Sequence, residues 1–313
     1  MVLDLPRIDG PNIMSIGQKT ALIFGASGML GSEIYAEARR RGLRVIGASR
    51  RGPDLRINIL EETQVCEAIF DSGADMVINA AALVSHAKCE NDPCLAYQIN
   101  GVAVAIMANA ARALGVKFIQ ISTDQYFSGD GDKKHTETAP VKLLNEYARS
   151  KYAGEAYALT NEDAIVIRTN VTGFRQDHSS TSFIEWVFEV LESSSTYNLF
   201  SDYYTSTMAT RQAAEALFDI AEHNVTGIIN VACREVSSKQ TFVNAVARAV
   251  GVNTSQAVTV SVHDNLERRA ESNGLDVGLA ESLLGRRMPT LEEVIAQLVG
   301  EYQTKFERSS RRG

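Results

Sequence analysis

Apolar and polar positions switch along the chain between short continuous runs and helical spacing, and the switches mark the elements. Residues 19–24 (KTALIF) are a short apolar run that leads into Gly25-Ala-Ser-Gly28-Met-Leu-Gly31. A stretch rich in Ala, Glu and Arg then continues to about Arg41. The pattern predicts strand, glycine turn and helix. Gly42 closes that helix, and residues 43–48 (LRVIGA) and 55–59 read as further strands. Residues 61–72 predict a helix whose acidic start suits its positive end. Residues 75–79 (DMVIN) predict a strand opening into Ala80-Ala81-Ala82. A long helix is expected from Asp92-Pro93 to about Leu114, with Pro93 where its missing N–H costs nothing. Residues 116–121 (VKFIQI) give a fifth strand, 127–144 a loop containing Gly129, Gly131 and Pro140, and 163–169 a sixth strand. Repeated strand–helix units imply a parallel sheet covered on both faces. Beyond it the pattern predicts an amphipathic helix at 183–192, a helix at 208–223, a strand at 227–232, and helices interrupted by short strands from 237 to 299.

Composition narrows the class. The 313 residues are 45% hydrophobic and 22% charged, enough for one large α/β domain or two that share a core. A net charge of −7 argues against a nucleic-acid or anionic-membrane binder. Cys66, Cys89, Cys94 and Cys233 lack CxxC or Cys/His metal spacing, so they are expected to be reduced and buried, with no metal site. No apolar run reaches the ~18 residues of a membrane span. Residues 1–18 hold Pro6, Gly10, Pro11 and Gly17 without a signal-peptide layout. They read as a loose extension, with Met14 as an alternative start, and a cytoplasmic location is expected. Residues 301–313 read as a frayed basic tail.

Candidate chemistry gathers where the strands end. Gly25 permits the tight turn, Gly28 lets backbone N–H groups approach a pyrophosphate, and Gly31 allows close helix–strand packing. The second strand ends in Ser49-Arg50-Arg51, where an NAD-selective enzyme would carry an acid. Guanidinium groups beside a hydroxyl suit a 2′-phosphate, which points to NADPH ahead of NADH; solvated loop arginines are the plainer reading. Ala80, Ala81 and Ala82 would let a flat ring pass close by, or are simple packing. Asn100, on an apolar helix, needs a polar partner. The fifth strand delivers Ser122-Thr123-Asp124 to the sheet's carboxyl end. In Asn145-Glu146-Tyr147-Ala148-Arg149-Ser150-Lys151, Tyr147 and Lys151 stand one helical turn apart. An ammonium ~4 Å from a phenol is worth ~4 kcal/mol at a dielectric of ~20, enough to lower its pKa by up to ~3 units. Alone, this spacing also arises by chance.

Together, Gly25-x-x-Gly28-x-x-Gly31, Asn79-Ala-Ala, Ser122-Thr123-Asp124 and Tyr147-x-x-x-Lys151 resemble the extended short-chain dehydrogenase/reductase superfamily. Within it the chain is most similar to the dTDP-4-dehydrorhamnose reductase family, through NAAALVSHAKCENDP (79–93), STDQYFSG (122–129), NEYARSKYAGE (145–155), VIRTNVTG (166–173) and SNGLDVGLAESLLGRRMPTLEEVI (272–295). The resemblance spans residues 19–300 and implies a Rossmann-type doubly wound parallel sheet with a smaller, mixed α/β C-terminal substrate-binding lobe. The expected NAD(P)-binding domain is 19–175 with 207–232 returning to it, and the expected lobe is 176–206 and 233–300.

The implied activity is NAD(P)H-dependent reduction of the 4-keto group of a nucleotide-linked deoxysugar. Tyr147 would give the proton, Thr123 would be its hydroxyl partner, and Lys151 would lower the phenol pKa and bind ribose hydroxyls. The implied cofactor contacts are Gly25, Ser27, Gly28, Met29, Leu30, Gly31, Ser49, Arg50, Arg51, Asn58, Ile59, Ala80, Ala81, Ala82, Asn100, Tyr147 and Lys151. Asn100 would support a water or the backbone near Lys151. Related dehydratases carry Asp-Glu after the Thr; here Asp124-Gln125 supplies an amide that cannot exchange a proton, which argues against dehydration. A nucleotide-sugar epimerase and a non-catalytic NAD(P)-binding regulatory subunit remain alternatives, and a homodimer is an open possibility. Trp186 reads as a core or interface residue, with base stacking as the alternative. Arg268 or Arg269 could hold a diphosphate or be solvated. The segment 198–207 (NLFSDYYTST) lacks the Gly and Pro usual in the family's substrate-side segment, so the sugar and base stay open.

Overall fold

The structure, a computed structural model, describes residues 18–175, 180–264 and 269–310, with side chains through residue 305. Residues 1–17 of the extension expected over 1–18, the end of the tail at 311–313 and Arg268 lie outside the described residues. The chain begins with β1 (Thr20–Phe24), α1 (Met29–Arg40), β2 (Arg44–Ser49), β3 (Leu55–Arg56), α2 (Glu62–Ser72) and β4 (Met76–Asn79). Next come α3 (His86–Asn91), α4 (Pro93–Tyr97), a π-helical turn (Gln98–Val102), α5 (Ala103–Leu114) and β5 (Lys117–Ile121). β6 (Lys134–His135), α6 (Glu146–Ala158), β7 (Ile165–Arg168) and β8 (Val171–Thr172) follow. After them run α7 (Phe183–Glu192), β9 (Tyr197–Phe200), β10 (Tyr204–Thr205), β11 (Met208–Ala209), α8 (Thr210–Ala221) and β12 (Gly227–Asn230). The chain ends with β13 (Ser237–Ser238), α9 (Lys239–Val250), β14 (Ala257–Val260), β15 (Ser272–Leu275), α10 (Gly278–Leu284) and α11 (Leu291–Ser310).

Seven strands form one sheet in the order β12-β7-β5-β4-β1-β2-β3, and every pairing in it is parallel. The strands are apolar throughout because both faces are covered. Along β1, Ala21 and Ile23 enter one core with α1 and α8, while Leu22 and Phe24 enter the other with α2 and α5. The strand order reverses between β1 and β4, which opens a crevice at the carboxyl ends of the strands. A third core joins α7, α9 and α11. A small sheet, β13-β10-β15-β6, brings together segments far apart in sequence. This is the parallel sheet expected from the pattern, in the Rossmann-type α/β architecture that the resemblance implies.

Several details differ from that pattern. The strand expected at 55–59 is confined to Leu55–Arg56. The long helix from Pro93 to Leu114 contains a π-turn centred on Asn100. That stretch is long and apolar enough to cross a membrane by composition, but half of it is buried, packed between α2 and α6. The expectation of buried cysteines fails at Cys94, which is exposed on α4. Trp186 lies in the third core against Phe183 and Tyr197, with ring centroids 6.0 and 6.3 Å away.

Candidate functional site

The glycine turn between β1 and α1 is shaped by close approach. Gly25 has φ +80°, and a Cβ there would stand 2.6 Å from the Ala81 nitrogen. A Cβ on Gly31 would collide with the Gly25 carbonyl oxygen. On Gly28 it would meet only that oxygen, at 3.2 Å, so the outer side of the turn is open. Helix α1 starts at Gly28 without a side-chain cap, leaving the first-turn N–H groups around Met29 and Leu30 for an anion. A diphosphate therefore fits this turn.

Most of the other expected cofactor residues lie at or after the carboxyl ends of β2, β3 and β4. The Ser27 and Ser49 hydroxyls are 2.9 Å apart, and Ser49 Oγ accepts the Arg51 N–H at 3.3 Å. Arg50 and Arg51 are exposed at the end of β2. Asn58 follows β3, where its Oδ1 accepts the Leu60 N–H, and Ile59 packs on the second core. Ala80, Ala81 and Ala82 leave β4 half-buried, with the Ala81 N–H held by Asn79 Oδ1 at 3.0 Å. Asn100 has the polar partners expected of it. Its Oδ1 accepts the Leu83 N–H at 2.8 Å, and its Nδ2 donates to the Leu83 carbonyl and to Ser150 Oγ, both at 3.0 Å. The amide braces the loop after β4 against α6, the helix that carries Lys151.

Tyr147, Lys151 and Thr123 converge at the end of β5, each less than a tenth exposed. Asn145 caps α6 by accepting the Ala148 N–H at 2.8 Å, which fixes the first turn that carries Tyr147. The Tyr147 phenol lies close enough to the Thr123 hydroxyl to feel it electrostatically. Lys151 Nζ donates to the Ile121 carbonyl at 2.7 Å. Burial pushes the phenol well above its ordinary pKa; the nearby Thr123 hydroxyl opposes this, and the charges of Asp124 and Cys89 add to it. Burial also brings the Lys151 ammonium down to about 8, against the Glu155 charge. In this arrangement burial dominates the phenol, and the ammonium is engaged with a backbone carbonyl.

Four side chains that sequence reasoning had not singled out complete the wall. Asp124 is raised to about 6 by burial, with Gln125 Nε2 at 3.0 Å and Asn170 Nδ2 at 2.8 Å donating to it. Tyr203 donates its hydroxyl to Gln125 Oε1 at 3.0 Å. Lys239, half-buried, lies 4.2 Å from the Phe183 ring centre and 5.7 Å from that of Tyr203, and burial lowers it to about 8. His86 stacks on Tyr147 with ring centroids 4.8 Å apart. Asn170, Tyr203, Lys239 and His86 sit on separate elements, and no local spacing links them to Tyr147. Arg269 is exposed and acts electrostatically on Tyr203 at the outer edge. Asp202 instead ties the turn after β9 to the segment after β14, accepting from Ser261 Oγ and the Val262 N–H.

Beneath the site, Glu155 and Arg168 form a fully buried ion pair at 2.7 Å. Ser122 Oγ donates to the same carboxylate at 2.5 Å, and Arg168 lies over the Tyr126 ring. The pair ties α6 to β7 directly under the residues that carry Thr123.

Comparison with known proteins finds relatives over nearly the whole chain. A probable low-salt glycan biosynthesis reductase of Haloferax volcanii is 30% identical over 89% of this chain and 96% of its own. A crystal structure of a hypothetical dTDP-4-dehydrorhamnose reductase from Sulfolobus tokodaii is 28% identical, with a TM-score of 0.76 over 87% of this chain and 97% of that one. The fold is shared with dTDP-4-dehydrorhamnose reductase from Bacillus anthracis, solved in complex with NADP, at 20% identity and a TM-score of 0.83 over 91% of this chain and 100% of that chain. The profile of the RmlD substrate binding domain matches residues 19–304. The chain therefore belongs to the RmlD substrate binding domain family, the dTDP-4-dehydrorhamnose reductase-like group of the short-chain dehydrogenase/reductases.

Proposed function

We propose that the protein is an NAD(P)H-dependent reductase of a 4-keto nucleotide-deoxysugar. The observation that carries this reading is the buried Tyr147–Thr123 hydroxyl pair at the end of β5, beside an uncapped glycine turn suited to a diphosphate. A bound nicotinamide supplies the hydride for such a reduction. The protein's part is to hold the ketone and deliver the proton. Thr123 orients the carbonyl oxygen, and Tyr147 donates its phenolic proton as negative charge develops there. Burial keeps the phenol protonated until that moment. The Lys151 ammonium, one helical turn away, favours the phenolate left behind. Gln125 is an amide already engaged with Asp124 and Tyr203, so the position offers no proton for dehydration. The names of relatives, dTDP-4-dehydrorhamnose reductase among them, support a nucleotide sugar as the substrate. A cytoplasmic location and a homodimer belong to the same proposal, and light scattering of the purified protein checks the latter.

The test is NADPH oxidation with a panel of 4-keto nucleotide sugars, comparing wild type with Tyr147→Phe. Removing a general acid lowers kcat by about 10²–10⁴-fold, while NADPH affinity should stay within about twofold. Turnover preserved in Tyr147→Phe would refute the assignment.

A further inference from the structure

We propose that His86 is a positioning residue for Tyr147, holding the phenol in the plane from which its hydroxyl meets Thr123. This rests on the reading of Tyr147 as the proton donor. The imidazole and phenol rings are 4.8 Å apart with planes 23° from parallel, so one face of the phenol is covered by the imidazole. His86 is the first residue of α3, and the chain is fastened to α6 on both sides of it, once from α3 and once from the loop before it. At one end, Glu90 Oε1 accepts the Glu146 N–H at 2.7 Å, one residue before Tyr147. At the other, Asn100 binds both backbone groups of Leu83 and reaches Ser150, whose Oγ in turn donates to the Tyr147 carbonyl at 3.0 Å. Cys89, Ala96 and Leu83 pack with Tyr147 in a small apolar cluster. The backbones on both sides are thus fixed, and the stacked ring is what sets the remaining freedom, rotation of the phenol about its own side-chain bonds. A proton donor rotated away from Thr123 loses rate without losing cofactor binding.

The experiment compares His86→Ala with His86→Phe, which keeps a flat ring but no ring nitrogens. We expect kcat to fall at least about tenfold in His86→Ala, with KM for NADPH and for the keto sugar within about twofold, and to return near wild type in His86→Phe. A second readout needs no turnover. In protein labelled with 3-fluorotyrosine, the Tyr147 resonance, assigned by its loss in Tyr147→Phe, should shift and broaden in His86→Ala and recover in His86→Phe. Wild-type kcat and an unchanged resonance in His86→Ala would overturn the proposal, as would failure of His86→Phe to restore either one. Absence of turnover in the wild type would refute the reductase reading instead, and the fluorine resonance would then decide the role of His86 by itself.

Discussion

Lys151 occupies an environment that makes its charge conditional. Its ammonium is brought down to about 8 by burial and donates to the Ile121 carbonyl. Because the charged form is the useful one, kcat/KM should hold below pH 8 and fall as the pH rises through about 8. Lys151→Met should be slow throughout and lack that inflection, which a pH–rate profile of both proteins checks. Arg50 and Arg51 carry a separate expectation. If they meet a 2′-phosphate, the double change to Ala should lower kcat/KM with NADPH by about tenfold and leave NADH within about twofold, the loss of one charge-assisted contact. The helical spacing of Tyr147 and Lys151 was legible because four residues always return to one face. The direction in which each group titrates was not. It depends on burial, and on a carbonyl thirty residues away in sequence.

At the scale of elements, the fit of α6 against the preceding helix decides where Tyr147 stands. A Cβ on Gly154 would run into the Asn100 carbonyl oxygen, so the two helices touch through backbone there. Gly154→Ala should cost about 1–3 kcal/mol by overpacking, seen as a lower urea midpoint, and should impair turnover by displacing α6. The Glu155–Arg168 pair makes a harsher demand. Arg168→Met leaves a buried carboxylate without its cation and should cost about 3–5 kcal/mol in the same assay. The strands and helices themselves could be read from apolar runs and glycine stops. The π-turn at Asn100 could not, since a continuous apolar pattern from Pro93 to Leu114 is what an unbroken helix also shows. Strand β3 was overextended because Ile57 and Ile59 are apolar but pack from loop positions.

Across the whole molecule, the parallel sheet brings the nucleotide turn, the Thr123 strand end and the Tyr147 helix to one crevice. That convergence was legible, because each motif follows a strand and parallel strands all end on the same side. The opposite wall was less so. Tyr203 and Lys239 reach it through strands of two residues, β10 and β13, paired by long-range contacts that carry no local pattern. The sequence signal for the sugar stopped at the same place, where Tyr203-Tyr204 stands in the substrate-side segment. The central claim is that this crevice reduces a ketone, and transfer of label tests it most directly. The purified protein would be given NADPH deuterated at C4 of the nicotinamide and a dTDP-4-keto-6-deoxyhexose, and the product sugar read by mass spectrometry. The account requires a single deuterium on the sugar carbon that was the ketone, with none when Tyr147→Phe is used over the same time. Unconsumed NADPH across 4-keto nucleotide sugars, or a product without the label, would contradict it.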